Sequence, residues 1–564
     1  MGVDTVPSRP AAIRLAVAAL MLCFAVGLAP LAASFVYEHP DEKYYTTAAI
    51  AMFRTGNWIT PVAADGSPRL QKPGLAYWPI ALSYRLFGVG VLQSRLPSLI
   101  AASLAIGLTW GVAYTVTARA PAALLAALMA FSQPHLILAA TWATPDALLC
   151  LFLLLSAWGF LLLLADERPP RWAPWAAYGG AGLAIATKGL LSLLFVAFVW
   201  AFAWREDLRG APVPRRRALV HLPAIAVGLG TAAWWYVALA REHGIGALEA
   251  FSRDQVVADT TLVWWAPSYH LVLYAIVLAA SLLPWSGALT IAGLSRPGTA
   301  TEWSRGRRFE RFALVWSALV VLVFSFSVWV DGRFLLPAGP LLAVALAAAL
   351  DRTHRAIRTR ALTAILRVCL VGFSALVVLI GLLLLALHER RSAAALLIGA
   401  GALVAALALA AKRGLLAPAI AITAFAAFPL GALGLWRLSE PDAGVHLAAR
   451  ALSAGPIVPG SLLVMGPRAL ANQLLIMSGG RIRIHREPMG AWDRIRSDRK
   501  AWPEALILPT AAAARLDVSG CRTGEFAFGL GQLAIRPLLH AVWSGRAGPF
   551  LEAHRERYTV AVCS

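Results

Sequence analysis

Long apolar segments recur along most of the chain, and their length limits what the chain can fold into. The first begins near residue 12, and the series continues to about residue 436. Several segments contain roughly 20 residues, the length an α-helix needs to cross the hydrocarbon of a bilayer. Apolar residues make up 59% of the sequence and charged residues only 14%. The sequence therefore predicts a polytopic α-helical membrane protein rather than a series of soluble domains.

The apolar segments predict about thirteen transmembrane helices. Their approximate bounds are residues 12–36, 96–117, 121–140, 145–165, 172–187, 189–204, 218–240, 269–292, 311–330, 334–350, 361–387, 393–411 and 415–436. Two pairs, 172–187 with 189–204 and 311–330 with 334–350, are so closely spaced that each also fits one long helix. The first run, about 25 residues long, exceeds the apolar core of a signal peptide, so we expect an uncleaved first helix.

Arginine placement predicts the orientation. Arginines are concentrated in alternate connections, including Arg119, residues 205–217, residues 296–311 and residues 352–360. By the positive-inside rule these connections face the cytoplasm, with the N-terminus inside. An odd number of helices then places the C-terminal tail outside. Because the net charge of +21 is divided among these connections, it does not indicate a nucleic-acid-binding face, and no nucleic-acid partner is expected.

Three larger segments are predicted on the outer face. Loop one, residues 37–95, contains amphipathic stretches at about 41–55 and 72–87 that fit helices lying on the membrane surface. A polar and aromatic loop spans residues 241–268. These loops belong to a predicted membrane domain of residues 1–436.

Residues 437–564 are soluble in composition and predict a small α/β domain outside the membrane. Apolar runs at 461–465, 482–484 and 505–508 are typical of short strands. Cys521 and Cys563 share this tail, where an oxidising compartment favours a disulfide over two separate thiols. No Cys-x-x-Cys motif or His/Cys cluster indicates a metal site. The sequence therefore identifies no metal-binding residues and predicts no cofactor, but it leaves a divalent metal possible.

Charged residues near the membrane are concentrated in loop one. Asp41 and Glu42 follow the first apolar segment directly, and Lys72 precedes a proline about thirty residues later. A carboxylate and a lysine can supply a general base and an anion-binding group to one site.

Seven short motifs occur in order over about 300 residues of the membrane region. They are Asp41-Glu42 with Tyr45, the sequence G-N-W-I-T-P at 56–61, Lys72-Pro73, Asp146-Ala147-Leu148-Leu149, Thr187-Lys188-Gly189, Pro284-Trp285-Ser286, and R-F-L-L-P at 333–337. This order resembles the GT-C glycosyltransferases, most closely glycosyltransferase family 83 with its aminoarabinose transferases of lipid A. The protein O-mannosyltransferases are a more distant likeness.

The resemblance implies a GT-C fold with about 13 transmembrane helices and an outer C-terminal domain. It also implies a bacterial inner-membrane enzyme that moves a sugar from polyprenyl (undecaprenyl) phosphate to lipid A or a related glycolipid. Transfer would occur at the periplasmic face, next to membrane lipids, and one direct displacement would invert the anomeric centre. Rival interpretations are a protein O-mannosyltransferase-like enzyme with a polypeptide acceptor and a lipid or sugar transporter.

Site residues follow from the resemblance and the chemistry together. The residues with catalytic roles are Asp41, Glu42 and Asp146, with Asp41 preferred as base; the donor phosphate would bind Lys72, Lys188 and Arg333; substrate would contact Tyr45, Arg253 and Phe334. A released lipid phosphate is an anion, so cations must stabilise it. Structural alternatives stay open: an N-cap role for the paired acids, a membrane-interface role for Lys188, and a local ion pair for Arg253.

The chain departs from the aminoarabinose transferases at three places. Gln71 stands where they carry an acid, and Phe334 where they have a tyrosine. The outer loop near 250 offers Arg253-Asp254-Gln255 in place of a Glu-His pair. These changes leave the sugar and any metal dependence open. Aminoarabinose, galacturonate and neutral hexoses all remain candidates.

Overall fold

The structure is a computed structural model of the chain. It describes residues 10–33, 39, 41–63, 66–165, 169–207, 215–253, 266–282, 305–327, 330–356, 391–410, 448–450, 460–466, 468–487, 504–516, 520–530 and 555–563, with isolated residues between 364 and 385 and at 452 and 518.

Apolar helices form most of the described membrane region. They are α1 (Pro10–Ala32), α4 (Val91–Thr117), α5 (Ala120–Phe131), α6 (Pro134–Ala140), α7 (Asp146–Ala165), α8 (Gly180–Lys188), α9 (Leu190–Asp207), α10 (Arg215–His243), α12 (Ala266–Ser281), α13 (Arg305–Ser325), α14 (Gly339–Ala356) and α15 (Arg391–Ala410). Within the described ranges, four helices are long and apolar enough to cross a membrane, or five if the bent pair α5 and α6 is one span. The total of about thirteen stays a prediction, since the helix predicted at 415–436 lies outside the described residues and that at 361–387 mostly does.

The helix predicted at 121–140 is not continuous, because the chain bends by 62° between α5 and α6, although the two are together long and apolar enough for one span. Gln133 is extended, with φ −73° and ψ 121°, and Pro134 begins α6. Proline has no N–H to donate and disfavours helical geometry in the residue before it. The bend brings α6 against the helical turn Gly332–Leu335, which positions part of the site described below.

Loop one contains both helices predicted for it, α2 (Glu42–Thr55) and α3 (Trp78–Phe87). The G-N-W-I-T-P turn between them is hydrogen-bonded to α10. The indole of Trp235 on α10 donates to the carbonyl of Ile59 at 2.9 Å, and the hydroxyl of Thr60 donates to Glu242 at 2.8 Å. These bonds satisfy the turn's polar groups and fix loop one relative to the membrane helices.

A five-stranded sheet forms the core of the C-terminal region, in the order β2-β1-β3-β5-β4. Its strands are β1 (Ser461–Met465), β2 (Arg483–Glu487), β3 (Ala505–Pro509), β4 (Cys521–Leu530) and β5 (Arg555–Cys563). The first three are parallel, and β5 pairs antiparallel with both β3 and β4. Helix α16 (Arg468–Met477) connects β1 to β2. The runs at 461–465, 482–484 and 505–508 thus coincide with three of the strands.

The C-terminal region packs onto α2, the helix that begins next to Asp41, through α16. Apolar residues of α2 and α3 share one buried cluster with residues of β1, β3 and α16. The hydroxyl of Thr46 on α2 donates to the side-chain oxygen of Asn472 on α16 at 2.9 Å. The C-terminal region therefore supports the helix that begins at the paired acids.

Cys521 and Cys563 form a disulfide between β4 and β5 across 42 residues of sequence. We expect the double variant Cys521→Ser/Cys563→Ser to lose about 4 kcal/mol of stability in the C-terminal region, because the unfolded chain gains conformational freedom. Amide hydrogen exchange of the β4 and β5 peptides would measure this loss. Cys23→Ala, in α1, should leave exchange in the sheet unchanged. Equal exchange in the double variant and the wild type would contradict the prediction.

Candidate active site

Four separate parts of the chain bring charged side chains together where helices begin or end. Asp41 precedes α2, Asp146 is the first residue of α7, and Lys188 is the last residue of α8. Asp331 and Arg333 lie in the turn that leads into α14. We call these five residues, with His39, the carboxylate–arginine cluster. Four of the residues predicted for the site, Asp41, Asp146, Lys188 and Arg333, are joined by direct contacts.

Arg333 contacts three carboxylates. Its Nη2 donates to Asp41 Oδ2 at 2.6 Å and its Nη1 to Asp146 Oδ2 at 3.5 Å. Its Nε lies 2.9 Å from Asp331 Oδ2, in a geometry that brings the charges together without a directed hydrogen bond. Burial disfavours the guanidinium charge, yet the carboxylates of Asp146, Asp331 and Asp41 outweigh it and raise the pKa of Arg333. A planar guanidinium suits this arrangement because its five donors point in fixed directions.

Lys188 pairs with Asp146, with Nζ 2.6 Å from Oδ1. The lysine ends α8 because Gly189 follows with φ +72°. A side chain at Gly189 would also lie 3.0 Å from Phe251 and 3.3 Å from the hydroxyl of Tyr236. The Thr187-Lys188-Gly189 motif therefore turns the chain sharply and leaves the ammonium group beside Asp146.

Asp41 is the most exposed member of the cluster. Its side chain is 36% exposed, against 4% for Asp146 and 12% for Arg333. The Arg333 bond holds one carboxylate oxygen in place. Asp41 is thus the acid best placed to meet a molecule that enters from outside.

His39 links the Asp41 segment to Asp331, and sequence reasoning had not assigned it a role. Its Nδ1 accepts the backbone N–H of Asp41 at 3.1 Å, and its Nε2 lies 3.1 Å from Asp331 Oδ2. The first bond requires a lone pair on Nδ1, so the proton sits on Nε2 and is donated to Asp331. Burial alone would raise the pKa of Asp331, but bonds from His39 and the backbone N–H of Arg333, with the guanidinium charge, lower it.

Tyr45 and Phe334, the predicted substrate contacts, border the cluster. The Lys188 and Arg333 cations lie 5.5 and 5.4 Å from the centre of the Phe334 ring, a distance at which the ring attracts positive charge. Tyr45 is buried beside Tyr77, with ring centres 5.6 Å apart. Burial, followed by the phenol of Tyr77 and the carboxylates of Asp146 and Asp41, raises the pKa of Tyr45 well above its ordinary value. Its phenol is therefore a neutral donor.

Glu42 is placed differently from the other predicted catalytic acids. It is 3% exposed and accepts two bonds from Arg95, which is 1% exposed: Nε to Oε2 at 3.0 Å and Nη2 to Oε1 at 3.2 Å. Its Oε1 also accepts the backbone N–H of His39 at 3.0 Å. With both oxygens occupied, Glu42 is suited to holding the start of α2. The geometry favours this structural role over the catalytic one predicted from the sequence.

We expect Glu42→Gln to lower stability by about 3–5 kcal/mol, because it leaves Arg95 buried without its anion. The paired variant Glu42→Met/Arg95→Met should recover most of the loss, since it removes both charges. Apparent thermal unfolding midpoints in detergent, taken at one scan rate, would compare the variants. A single variant as stable as the wild type would contradict the buried pair.

None of the cluster contacts described above involves Lys72 or Arg253, the other two predicted substrate ligands. Lys72 is half-buried two residues before the helical turn Gly74–Ala76, which packs against α8. This places the Lys72 segment next to the helix that ends in Lys188. Arg253 is exposed at the end of α11 (Gly246–Arg253), and its predicted neighbour Asp254 lies outside the described residues. Both residues stay predictions as ligands of substrate.

A Glu-His pair that the sequence reading overlooked lies at the end of α10. Glu242 and His243 Nε2 both lie 2.8 Å from the hydroxyl of Thr60, and Asn57 donates to Glu242 at 3.2 Å. The pair thus holds loop one against the end of α10 by hydrogen bonds. Among the residues described, no group of three or more His, Cys, Asp or Glu residues has a metal-binding arrangement.

Comparisons with known proteins identify similar chains. A family model described as dolichyl-phosphate-mannose-protein mannosyltransferase matches residues 71–236. An undecaprenyl phosphate-alpha-4-amino-4-deoxy-L-arabinose arabinosyl transferase of Pseudomonas aeruginosa is 30% identical over 300 residues, or 51% of each chain. An uncharacterized protein of Aquifex aeolicus is 28% identical over 307 residues, 54% of this chain and 58% of that protein. The matches span about half the length of these curated relatives.

A solved structure matches over almost the whole chain. ArnT from Cupriavidus metallidurans bound to undecaprenyl phosphate aligns with a TM-score of 0.71 at 18% identity, covering 98% of both chains. Its apo structure aligns with a TM-score of 0.69 over the same share. These matches show that the protein has a GT-C fold, as the sequence predicted, while the number of transmembrane helices stays a prediction. The apolar helices and this fold together define a multi-pass membrane protein similar to ArnT.

Proposed function

We propose that this chain is a membrane glycosyltransferase that moves a sugar from a polyprenyl-phosphate donor to lipid A or a related glycolipid. The observation that carries the proposal is the contact of Asp41 with Arg333 at 2.6 Å and of Lys188 with Asp146 at 2.6 Å, on a GT-C fold. The resemblance at the same motifs supports it. A catalytic acid and two cations stand together at helix ends, as cleavage of a sugar phosphate requires.

The cations would stabilise the leaving group. As the bond from the anomeric carbon to the phosphate oxygen breaks, negative charge develops on the lipid phosphate. Lys188 and Arg333 can compensate that charge, with Lys72 as the third predicted cation. Asp146 holds Lys188 and Arg333 in place beforehand, which reduces the ordering needed when substrate binds.

Asp41 would act on the acceptor. If the acceptor is a hydroxyl, its oxygen attacks the anomeric carbon and its proton passes to Asp41. If the acceptor is a phosphate of the glycolipid, the attacking oxygen is already ionised. Asp41 then orients the acceptor and stabilises the positive charge that develops on the sugar. One direct displacement inverts the anomeric centre in both cases.

We also propose the arrangement in the cell. Residues 1–436 form the catalytic membrane domain, and residues 437–564 form an outer α/β domain. Arginine placement supports a position of the cluster at the periplasmic face of a bacterial inner membrane. The packing of α16 onto α2 supports a common outer side for both regions.

Mass spectrometry of lipid A and total glycolipids tests the function. Cells lacking the gene would be compared with the same cells complemented by the wild-type protein. We expect one sugar mass to disappear on deletion and to return on complementation, which identifies the sugar and the acceptor together. An unchanged set of glycolipids would overturn the lipid acceptor.

A polypeptide acceptor is the second candidate, favoured by the family model that matches residues 71–236. The same cells distinguish it. Loss of sugar from membrane or periplasmic proteins, with glycolipids unchanged, would support protein glycosylation. A transporter is disfavoured by the contact between Asp41 and Arg333 at helix ends, since transporters hold such groups near the middle of the membrane.

A further inference from the structure

Three polar side chains beside the cluster contain buried polar atoms without a hydrogen-bond partner in the described part of the protein. They are Gln133, with both amide atoms unpaired, His135 at Nδ1, and Trp142 at Nε1. Gln133 is 1% exposed and His135 8% exposed. Unpaired buried polar groups destabilise a fold, so their presence in one place requires a physical reason.

His135 and Gln133 border the chain at Gly332 and Gly339, just before and after residues 333–338, and Trp142 borders His39. A methyl group at Gly332 would lie 2.8 Å from Nε2 of His135, and one at Gly339 would overlap the amide of Gln133. The ring of Trp142 lies against that of His39, with centres 4.8 Å apart. His39 in turn bonds Asp331. The chain from the break between α5 and α6 to Trp142 therefore places unpaired polar groups next to Gly332, Gly339 and His39, close to Asp331.

We propose that Gln133, His135 and Trp142 form a subsite for the ring hydroxyls of the sugar that is transferred. This rests on the function proposed above. A sugar presents hydroxyls that both donate and accept, and ring C–H groups that pack on an aromatic face. An amide, an imidazole and an indole match those groups without adding charge.

Other parts of the substrates fit this place less well. The phosphate needs cations, and the proposed function assigns it to Lys188 and Arg333, whereas Gln133 and Trp142 carry no charge that could compensate it. A lipid tail would leave the amide and the indole N–H unsatisfied in an apolar environment. A hydroxylated ring can satisfy both.

Two near-isosteric variants test the subsite. Gln133→Met removes an unpaired amide, and Trp142→Phe removes an unpaired indole N–H. Trp110→Phe is the matched control, because Trp110 Nε1 is also buried and unpaired. Ser98 on α4 is near the cluster, because its hydroxyl donates to the carbonyl of Thr144. Trp110 follows Ser98 by 12 positions on the same helix and therefore lies about 18 Å farther along it.

The assay uses purified full-length protein and the total lipid extract of cells lacking the gene, with initial rates of product formation followed by mass spectrometry. We expect kcat/KM of Gln133→Met and Trp142→Phe to fall at least about tenfold, since each loses a hydrogen bond to the sugar. Trp110→Phe should stay within about twofold of the wild type. The unfolding midpoint of Gln133→Met without lipid should be unchanged or higher, because an unpaired buried amide has been removed.

Three results would overturn the subsite. Rates of both variants within about twofold of the wild type would show that no hydroxyl is bound there. A fall in unfolding midpoint in step with activity would show that the side chains are structural. If the wild-type protein also forms no product, both the proposed transfer and the subsite are overturned. If the wild type is active and the variants are unaffected, only the subsite is overturned.

Discussion

Replacing Asp41 by Asn is expected to lower the transfer rate by about a thousandfold, the range of a general base that also orients its substrate. The neutral amide cannot accept the acceptor's proton and cannot compensate positive charge on the sugar. It still fits the same space beside Arg333. Complementation of cells lacking the gene, followed by mass spectrometry of their glycolipids, would show no restored sugar with this variant.

Asp351→Asn is the matched control for the loss of one carboxylate. Asp351 pairs with Arg119 at 3.4 Å, in the part of α14 farther from Arg333. We expect this variant to restore the sugar fully. An Asp41→Asn enzyme within about tenfold of the wild type would exclude Asp41 as base, and Asp146 would become the next candidate.

The acceptor class determines how the rate of Asp41→Asn depends on pH. A hydroxyl acceptor needs a base, so the variant should regain activity as pH rises and hydroxide competes for the proton. A phosphate acceptor is already ionised, so the loss should be constant across pH. Rate measurements on one lipid extract at several pH values would distinguish the two mechanisms.

Local patterns were enough to predict elements whose signal lies within one segment. Hydropathy predicted a helix at 145–165 and the structure has Asp146–Ala165; the run at 461–465 is strand β1. The strands β4 and β5 were not predicted. Their partly exposed surfaces give a weaker alternation, and pairing between them joins residues 25 to 42 positions apart.

The site was only partly predictable because its contacts join distant parts of the chain. Arg333 and Asp41 are 292 positions apart, and so are His39 and Asp331. The resemblance to GT-C enzymes predicted Asp41 and Arg333 as site residues, but no local sequence pattern indicates the contact between His39 and Asp331. The separate roles of Asp41 and Glu42 could not be predicted either, because two adjacent acids look alike in sequence. Only burial beside Arg95 separates a structural acid from the exposed Asp41.

Arg333→Lys is expected to lower kcat/KM by about a hundredfold while the protein stays folded. Lysine keeps the positive charge but carries it on one compact ammonium group, which cannot contact three carboxylates in the directions that a guanidinium reaches. Asp41 would lose its fixed orientation. Rates with the lipid extract, together with unfolding midpoints, would separate this effect from loss of the fold.

Arg333→Met should have a larger effect on stability, because Asp41, Asp146 and Asp331 would then share only the charge of Lys188. Breaking such a partly buried network costs about 3–5 kcal/mol. Arg119→Lys, which alters the ion pair with Asp351, should change neither rate nor midpoint. If Arg333→Lys keeps more than about a third of the activity, three-way contact is not required, and a simple positive charge next to Asp146 suffices for the reaction.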